Sequence, residues 1–250
     1  MNECKKAIIL AAGRGSRLKG LTEDKPKCLN TVGGRTLLEW QIGTLKQCGI
    51  EDIILVTGYR SSSFNSWDII KVHNSDWEKT NMLSSLLCAE REFDQSLIVS
   101  YSDIIYCSEI VKQLQECSKD AVIAYDKDWL MLWSDRFGDP LLDAETFKIA
   151  DDGKIREIGK EPTDVKEIQG QYMGLMKFTP HAMDNIIRWT RKLSSGPDKI
   201  DMTTAIQGLI DSGYPVYGVS TNGRWCEIDD EKDLIVAEDL FSKGLIKEYK

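Results

Sequence analysis

Between positions 14 and 27 the chain carries Arg14, Arg17, Lys19, Lys25 and Lys27 against only Glu23 and Asp24, in a protein whose formal net charge is -8. A locally cationic loop in an acidic chain suits a small polyanion better than an extended one. Gly13 and Gly15 open the stretch, and without side chains there the main-chain N–H groups can come close to a phosphate. Pro26 restricts the backbone just before Lys27, which favours a held lysine over a mobile one. The plainer reading is an ordinary turn with solvated lysines, since short glycine motifs recur by chance. Two carboxylates distant in sequence, Asp103 and Asp229, are the natural counterparts. Magnesium takes oxygen ligands, usually one or two carboxylates with phosphate oxygens and water, so this pair could hold Mg2+ if the fold brings it together. Helix capping is the alternative for either aspartate, and it suits the neighbouring Asp230 better.

The elements that would position these groups follow from the apolar pattern. Ala7 to Leu10 is an all-apolar run, the form of a strand buried on both faces of a parallel sheet. Leu38, Ile42 and Leu45 fall at helical spacing, with Cys48 continuing the stripe and Gly49 placed to end it. Asp52 to Val56 is the second strand, which completes a βαβ unit. Ile69 to Val72 follows as a third strand, then a helical stripe of Met82, Leu86, Ala89 and Phe93. The run Leu97 to Val99 emerges at Asp103, and open parallel sheets gather ligands at the carboxyl ends of their strands. A helix carries Ile110, Val111 and Leu114, and Ala121 to Ala124 is another buried strand. Thr146 to Ile149 and Ile155 to Ile158 flank Asp151-Asp152-Gly153 as a hairpin, and Tyr172 to Phe178 is a further strand. Helices around Ile186, Ile187 and Leu193 and around Met202, Ile206, Leu209 and Ile210 come next, the second ended by Gly213. Val216 to Val219 and Trp225 to Ile228 are strands, the latter opening onto Asp229 before a final charged helix. The expected class is α/β, a Rossmann-like doubly wound mixed sheet with a small β-rich region in the second half, in a single domain over 1–250.

Composition narrows the function classes. With 250 residues and 42% hydrophobic content, one α/β domain has enough apolar material for its core. No apolar run approaches the roughly 20 residues of a membrane-spanning helix, and the N-terminus lacks a signal peptide's apolar core and cleavage site, so the expectation is a cytoplasmic protein with no membrane partner. Seven scattered cysteines without a Cys-x-x-Cys pair indicate neither a disulfide framework nor a zinc site. With only two histidines, His73 and His181, imidazole chemistry has little to draw on. A pI near 5.0 argues against nucleic acid as a partner, which needs a broad basic face.

Leu10 to Leu18 reads Leu-Ala-Ala-Gly-Arg-Gly-Ser-Arg-Leu, and Thr22 to Leu29 reads Thr-Glu-Asp-Lys-Pro-Lys-Cys-Leu. Both resemble, without mismatch, the signature of the nucleotidyltransferases that join a nucleoside triphosphate to a phosphorylated small molecule, the sugar-phosphate and phosphocholine type. The resemblance implies a GT-A-like fold, with a nucleotide-binding half at about 1–125 and an acceptor-binding and C-terminal half at about 126–250. It implies nucleotide contacts from Leu10, Ala11, Ala12, Gly13, Arg14, Gly15, Ser16, Arg17 and Lys27, with Asn81 and Ser102 added further on. Arg17, Lys27, Asp103 and Asp229 are the implied catalytic set, with Asp103 and Asp229 binding Mg2+. Glu227-Ile228-Asp229 matches the family's C-terminal metal motif fully, whereas Ser102-Asp103-Ile104 matches the earlier one only at the aspartate.

Segments from Asp126 through Trp133, Arg136-Phe137, Asp143 to Thr146, Gln171 to Leu175 and Trp225 to Asp229 resemble the cytidylyltransferase branch. That likeness implies CTP as donor and phosphocholine, a phosphonate such as 2-aminoethylphosphonate or a phosphorylated amino-acid derivative as acceptor. Lys160 resembles the family's acceptor-phosphate lysine, with an exposed hairpin lysine as the alternative, and Glu227 is placed with it on the acceptor side. Trp129 and Trp133, four apart, share one face if helical. With Tyr125, Tyr172 or Trp225 they could wall in an ammonium, ordinary packing or a homo-oligomer contact being the other use of such a pair. Asp128, Asp135 or Glu167 could supply the counter-charge. Two rival readings stand beside this one: a sugar-1-phosphate nucleotidyltransferase using UTP or dTTP, and a nucleotide-binding regulatory module without catalysis.

Overall fold

The strand that precedes the glycine turn, β1 (Lys6–Ala11), is buried along its whole length in the computed structural model, which describes residues 4–246. Two short strands, β2 (Thr31–Val32) and β3 (Arg35–Thr36), form a hairpin that leads into α1 (Leu37–Gln47). Thr36 and Glu39 close a reciprocal capping box at the start of α1, satisfying N–H groups that a helix end leaves free. Gly49, at φ 74, turns the chain past the helix end into β4 (Asp52–Thr57), a conformation glycine takes without strain. After β5 (Ile70–His73) and α2 (Met82–Cys88) come β6 (Leu97–Tyr101) and the three-residue β7 (Ile104–Tyr106). The second half holds α3 (Ser108–Glu116), β8 (Ala121–Asp126), α4 (Trp129–Phe137), the hairpin β9 (Phe147–Ile149) and β10 (Ile155–Ile158), β11 (Gln171–Phe178), α5 (Pro180–Thr190), α6 (Met202–Asp211), β12 (Tyr217–Thr221), β13 (Trp225–Glu227) and α7 (Glu231–Ser242).

Seven strands form the central sheet in the order β12-β8-β11-β6-β1-β4-β5. All neighbours are parallel except β11, which runs antiparallel to both β6 and β8. Side chains alternate across a strand, and β1 shows it: Ala7 and Ile9 join one buried cluster with Leu38, Leu45, Ile110 and Leu114, while Ile8 and Leu10 join another with Leu83, Leu86, Met183 and Ile206. Helices α1 and α3 therefore cover one face and α2, α5 and α6 the other. This is the doubly wound mixed sheet expected from the pattern.

Two boundaries differ from the periodic reading. The stripe through Phe93 breaks at Cys88, where a short 3-10 turn, Glu90–Glu92, takes over, and Leu193 lies beyond α5. More consequential is β13, which leaves the main sheet and pairs antiparallel with β7, Glu227 opposite Ile104 and Trp225 opposite Tyr106. Within this ribbon Ile228 N donates to the Asp103 carbonyl at 2.9 Å. The two aspartate-bearing turns are thereby fastened to each other.

Gln41 of α1, 1% exposed, supports the first of these turns from below. Its Nε2 donates to the carbonyls of Tyr101 (2.9 Å) and Ile104 (2.7 Å), and its Oε1 accepts from Ser100 Oγ at 3.1 Å. A buried carbonyl stripped of its donor bears most of its desolvation cost. Gln41→Met keeps the volume and removes these bonds, so urea denaturation should show a loss of roughly 2–4 kcal/mol. An unchanged midpoint would mean the turn does not depend on Gln41.

Candidate active site

The glycine turn is shaped around a lysine stem. Gly15 has φ 71, and a Cβ built there would lie 2.7 Å from Lys27 Cδ. Both conformation and space thus call for glycine. Thr22 Oγ1 donates to the Gly15 carbonyl at 3.1 Å and Tyr59 Oη to the Thr22 carbonyl at 2.8 Å, pinning the loop. A Cβ at Gly13 would meet nothing within 4 Å, so that position faces open space.

Lys27 is 8% exposed. Its ammonium donates to Asp103 Oδ2 at 2.7 Å and to Asp229 Oδ1 at 2.5 Å, bridging one residue from each half of the chain. Burial works to lower the lysine pKa, but the charges of Asp103 and Asp229 outweigh it and hold the pKa above its ordinary value. For Asp229 burial pushes upward, and Lys27 prevails to hold the carboxyl below the usual range. Arg17 reaches Asp229 Oδ2 at 3.2 Å from an exposed position.

Carboxylate oxygens of Asp103, Glu227 and Asp229 lie within 4.8 Å of one another. Asp103 Oδ1 is buried and has no hydrogen-bond partner among the described residues. Burial, reinforced by the charge of Asp229, pushes the Glu227 carboxyl up to about 8. Behind this cluster stands Arg136, 3% exposed. It donates through Nε to Asp233 Oδ1 (2.8 Å), through Nη2 to Asp233 Oδ2 (3.1 Å) and through Nη1 to Glu227 Oε2 (2.9 Å). Asp233 in turn accepts from the Asp229 N–H at 2.7 Å. Asp230 caps α7, its side chain accepting from Lys232 N and Asp233 N, as expected.

Two adjoining cavities meet at Asp229. The first, about 290 Å³, is lined by Leu10, Ala12, Gly13, Gly15, Ser16, Arg17, Lys27, Asn81, Ser102 and Asp103 among others. The second, about 280 Å³, shares Arg17, Asn81, Met82 and Asp229 with the first and adds Tyr101, Trp133, Tyr172 and Glu227 together with Asp143, Glu145 and Asp201. Asn81 lines both while also capping α2 through Met82 N.

Several expected residues lie elsewhere. Ala11 is buried in the sheet beside Thr57, and Arg14 lies over the Tyr59 ring; neither lines the first cavity. Trp129 is 4% exposed and packs edge-on against Trp133, because the inward face of α4 is used for core contacts. Lys160 is outside the second cavity, its ammonium held by Glu157 on the exposed hairpin at 2.6 Å. Of the expected counter-charges, Glu167 is occupied by Thr163 and Asp164, and Asp128 and Asp135 do not line the second cavity. Sequence reasoning missed Trp77, which lines the first cavity and packs edge-on with Tyr59, and it gave no role to Arg136, Asp233, Asp143, Glu145 or Asp201. A tryptophan in a polar loop was the signal for Trp77; Arg136, Asp143 and Glu145 lie in segments that carry the branch likeness but nothing in them assigns a role, and Asp201 comes from a distant helix cap.

Removing one partner of a buried charge pair typically costs about 3–5 kcal/mol. Arg136→Met should therefore lower stability by about that amount in chemical denaturation. A variant as stable as the parent would show that the arginine is not needed to balance Glu227 and Asp233.

Residues 7–165 match the MobA-like NTP transferase domain. CTP:phosphoglutamine cytidylyltransferase of Campylobacter jejuni is 38% identical over 248 residues, covering 92% of this chain and 98% of that protein. Choline-phosphate cytidylyltransferase of Streptococcus pneumoniae is 31% identical over 138 residues, 53% of this chain and 60% of that one. The inositol-1-phosphate CTP transferase from T. maritima shares the fold, with a TM-score of 0.80 at 23% identity over 100% of this chain and 99% of the other. No helix among the described residues is long and apolar enough to cross a membrane.

Proposed function

The chain belongs to the MobA-like NTP transferase family, and on that footing we propose that it transfers CMP from CTP to the phosphate or phosphonate of a small amine-bearing acceptor, releasing pyrophosphate. The observation that carries this reading is the junction of the two cavities, where Lys27 bridges Asp103 and Asp229. The relative from Campylobacter jejuni, alike over nearly its full length, is named for CTP and phosphoglutamine. Seven cysteines, all free, fit a reducing compartment such as the cytoplasm.

Attack by one anion on another is slowed by repulsion and by orientation, so the chain has to supply cations and positioning rather than a nucleophile. In this reading the first cavity takes CTP, with N–H groups of the glycine turn against its phosphates. Arg17 and Lys27 neutralise the triphosphate and the charge that grows on departing pyrophosphate. The acceptor enters the second cavity and presents an oxygen to the α-phosphorus at Asp229.

The donor set fits a divalent cation: three carboxylates converge within 4.8 Å, and Asp103 Oδ1 is a buried acceptor with no partner among the described residues. Asp103 and Asp229, with Glu227 beside them, would hold Mg2+, which would neutralise and orient phosphate oxygens. Arg136 and Asp233 keep Glu227 and the Asp229 main chain in place for that role.

Mixing the protein with CTP, magnesium and a panel of phosphorylated and phosphonate acceptors, amino-acid derivatives included, should release pyrophosphate, and EDTA should stop the release. Lys27→Met, Asp103→Asn and Asp229→Asn should each lower kcat by about 10²–10³-fold with an unchanged circular dichroism spectrum. Near-normal turnover removes that residue from the mechanism. Release with UTP or dTTP and a sugar phosphate but not with CTP would move the protein to the sugar-nucleotide reading, and no release with any pair would leave a binding module.

A further inference from the structure

The second cavity has more anionic groups than its cations can match. Arg17 is engaged with Asp229, and Arg136 with Glu227, Asp229 and Asp233. Asp143, Glu145 and Asp201 line the same space and form no ion pair among the described residues. No lysine lines it.

Glu145 is held there by its main chain. Gln171, 4% exposed, accepts from Glu145 N at 3.4 Å and donates to the Glu145 carbonyl at 2.7 Å. This clamp leaves the carboxylate to the cavity, where its one hydrogen bond among the described residues is a long one from Thr203 Oγ1 at 3.5 Å. The same Thr203 hydroxyl lies 3.3 Å from Asp201 Oδ1, so its single proton can serve only one of the two acids at a time. Burial, with the charge of Asp201, pushes the Glu145 carboxyl up to about 7, the mark of an anion without its cation. A separate observation also points to a ligand. Trp133 lines this cavity, is 3% exposed, and its indole N–H has no acceptor among the described residues.

The aromatic groups do not form a cage for a quaternary ammonium. The Trp133 ring already carries the Arg136 guanidinium at 5.0 Å, and Tyr101 and Tyr172 pack edge-on against each other. A quaternary nitrogen has no N–H to give and depends on aromatic faces. A primary ammonium has three donors, which match carboxylates and a threonine hydroxyl. We propose that Glu145, flanked by Asp143 and Asp201, binds a primary ammonium on the acceptor, so that the substrate is a phosphorylated or phosphonylated primary amine; this rests on the cytidylyltransferase reading above.

Steady-state pyrophosphate release with CTP should be measured for O-phosphoethanolamine, 2-aminoethylphosphonate, phosphocholine and ethyl phosphate. The parent protein should give its highest kcat/KM with the two primary amines. Glu145→Gln keeps the shape and the main-chain clamp. It should raise KM for those amines by about 10- to 100-fold, the loss of one charge-assisted hydrogen bond, while the KM for CTP stays put and the preference over ethyl phosphate collapses. Asp143→Asn, at an exposed position, should shift KM the same way by a smaller factor and guards against misfolding of the first variant. Equal or better turnover of phosphocholine or ethyl phosphate by the parent, or unchanged selectivity in Glu145→Gln, overturns the inference and leaves cytidylyl transfer standing. Absence of release with all four and with the wider acceptor panel overturns both.

Discussion

A lysine ammonium caught between two carboxylates, one from each half of the chain, is the interaction on which the site depends. Lys27 meets Asp103 and Asp229 at hydrogen-bond distance in a place nearly closed to solvent. Charges buried this way are stable only when each is paired, so three loops distant in sequence must arrive together or not at all. The glycine turn answers this by withholding a side chain where the lysine stem passes. The β7–β13 ribbon answers it by locking Asp103 to Ile228 through the main chain.

Beyond that bridge, Arg136 balances Glu227 and Asp233. Its planar fork spans Asp233 and Glu227, a geometry that a lysine would not reproduce. Asp233 is the third residue of α7 and also accepts from Asp229 N, so the start of that helix, the Asp229 turn and α4 form one polar unit.

Much of this was legible before any coordinates. The buried run Ala7 to Leu10 and the glycines after it marked the turn that wraps the Lys27 stem, and two aspartates at strand ends could be paired because parallel sheets collect ligands there. What escaped reading has physical causes. Strands of three residues such as β7 and β13 are too short for periodicity to reveal their partner, so the device that joins the aspartates was invisible. Helical spacing put Trp129 and Trp133 on one face but could not say that the face turns inward. Lys160 followed from its resemblance to a family lysine, and its side chain instead reaches Glu157 of the hairpin. The acidic wall comes from a loop at 143–145 and a helix cap at 201, residues that read individually as turn and cap.

The two cavities draw on different parts of the polypeptide. Leu10, Ala12, Gly13, Gly15, Ser16, Lys27, Trp77, Thr80, Ser85, Ser102 and Asp103 line the first, whereas Tyr101, Trp133, Asp143, Glu145, Gln171, Tyr172, Asp201, Thr203 and Glu227 line the second, with Arg17, Asn81, Met82 and Asp229 as the common partition. With donor and acceptor in the two cavities as proposed, such a division would let lineages exchange one reactant while inheriting the machinery for the other intact. Loop remodelling on the far side of that partition would be a route by which a single ancestral scaffold radiates into many selectivities while keeping its energy-rich donor.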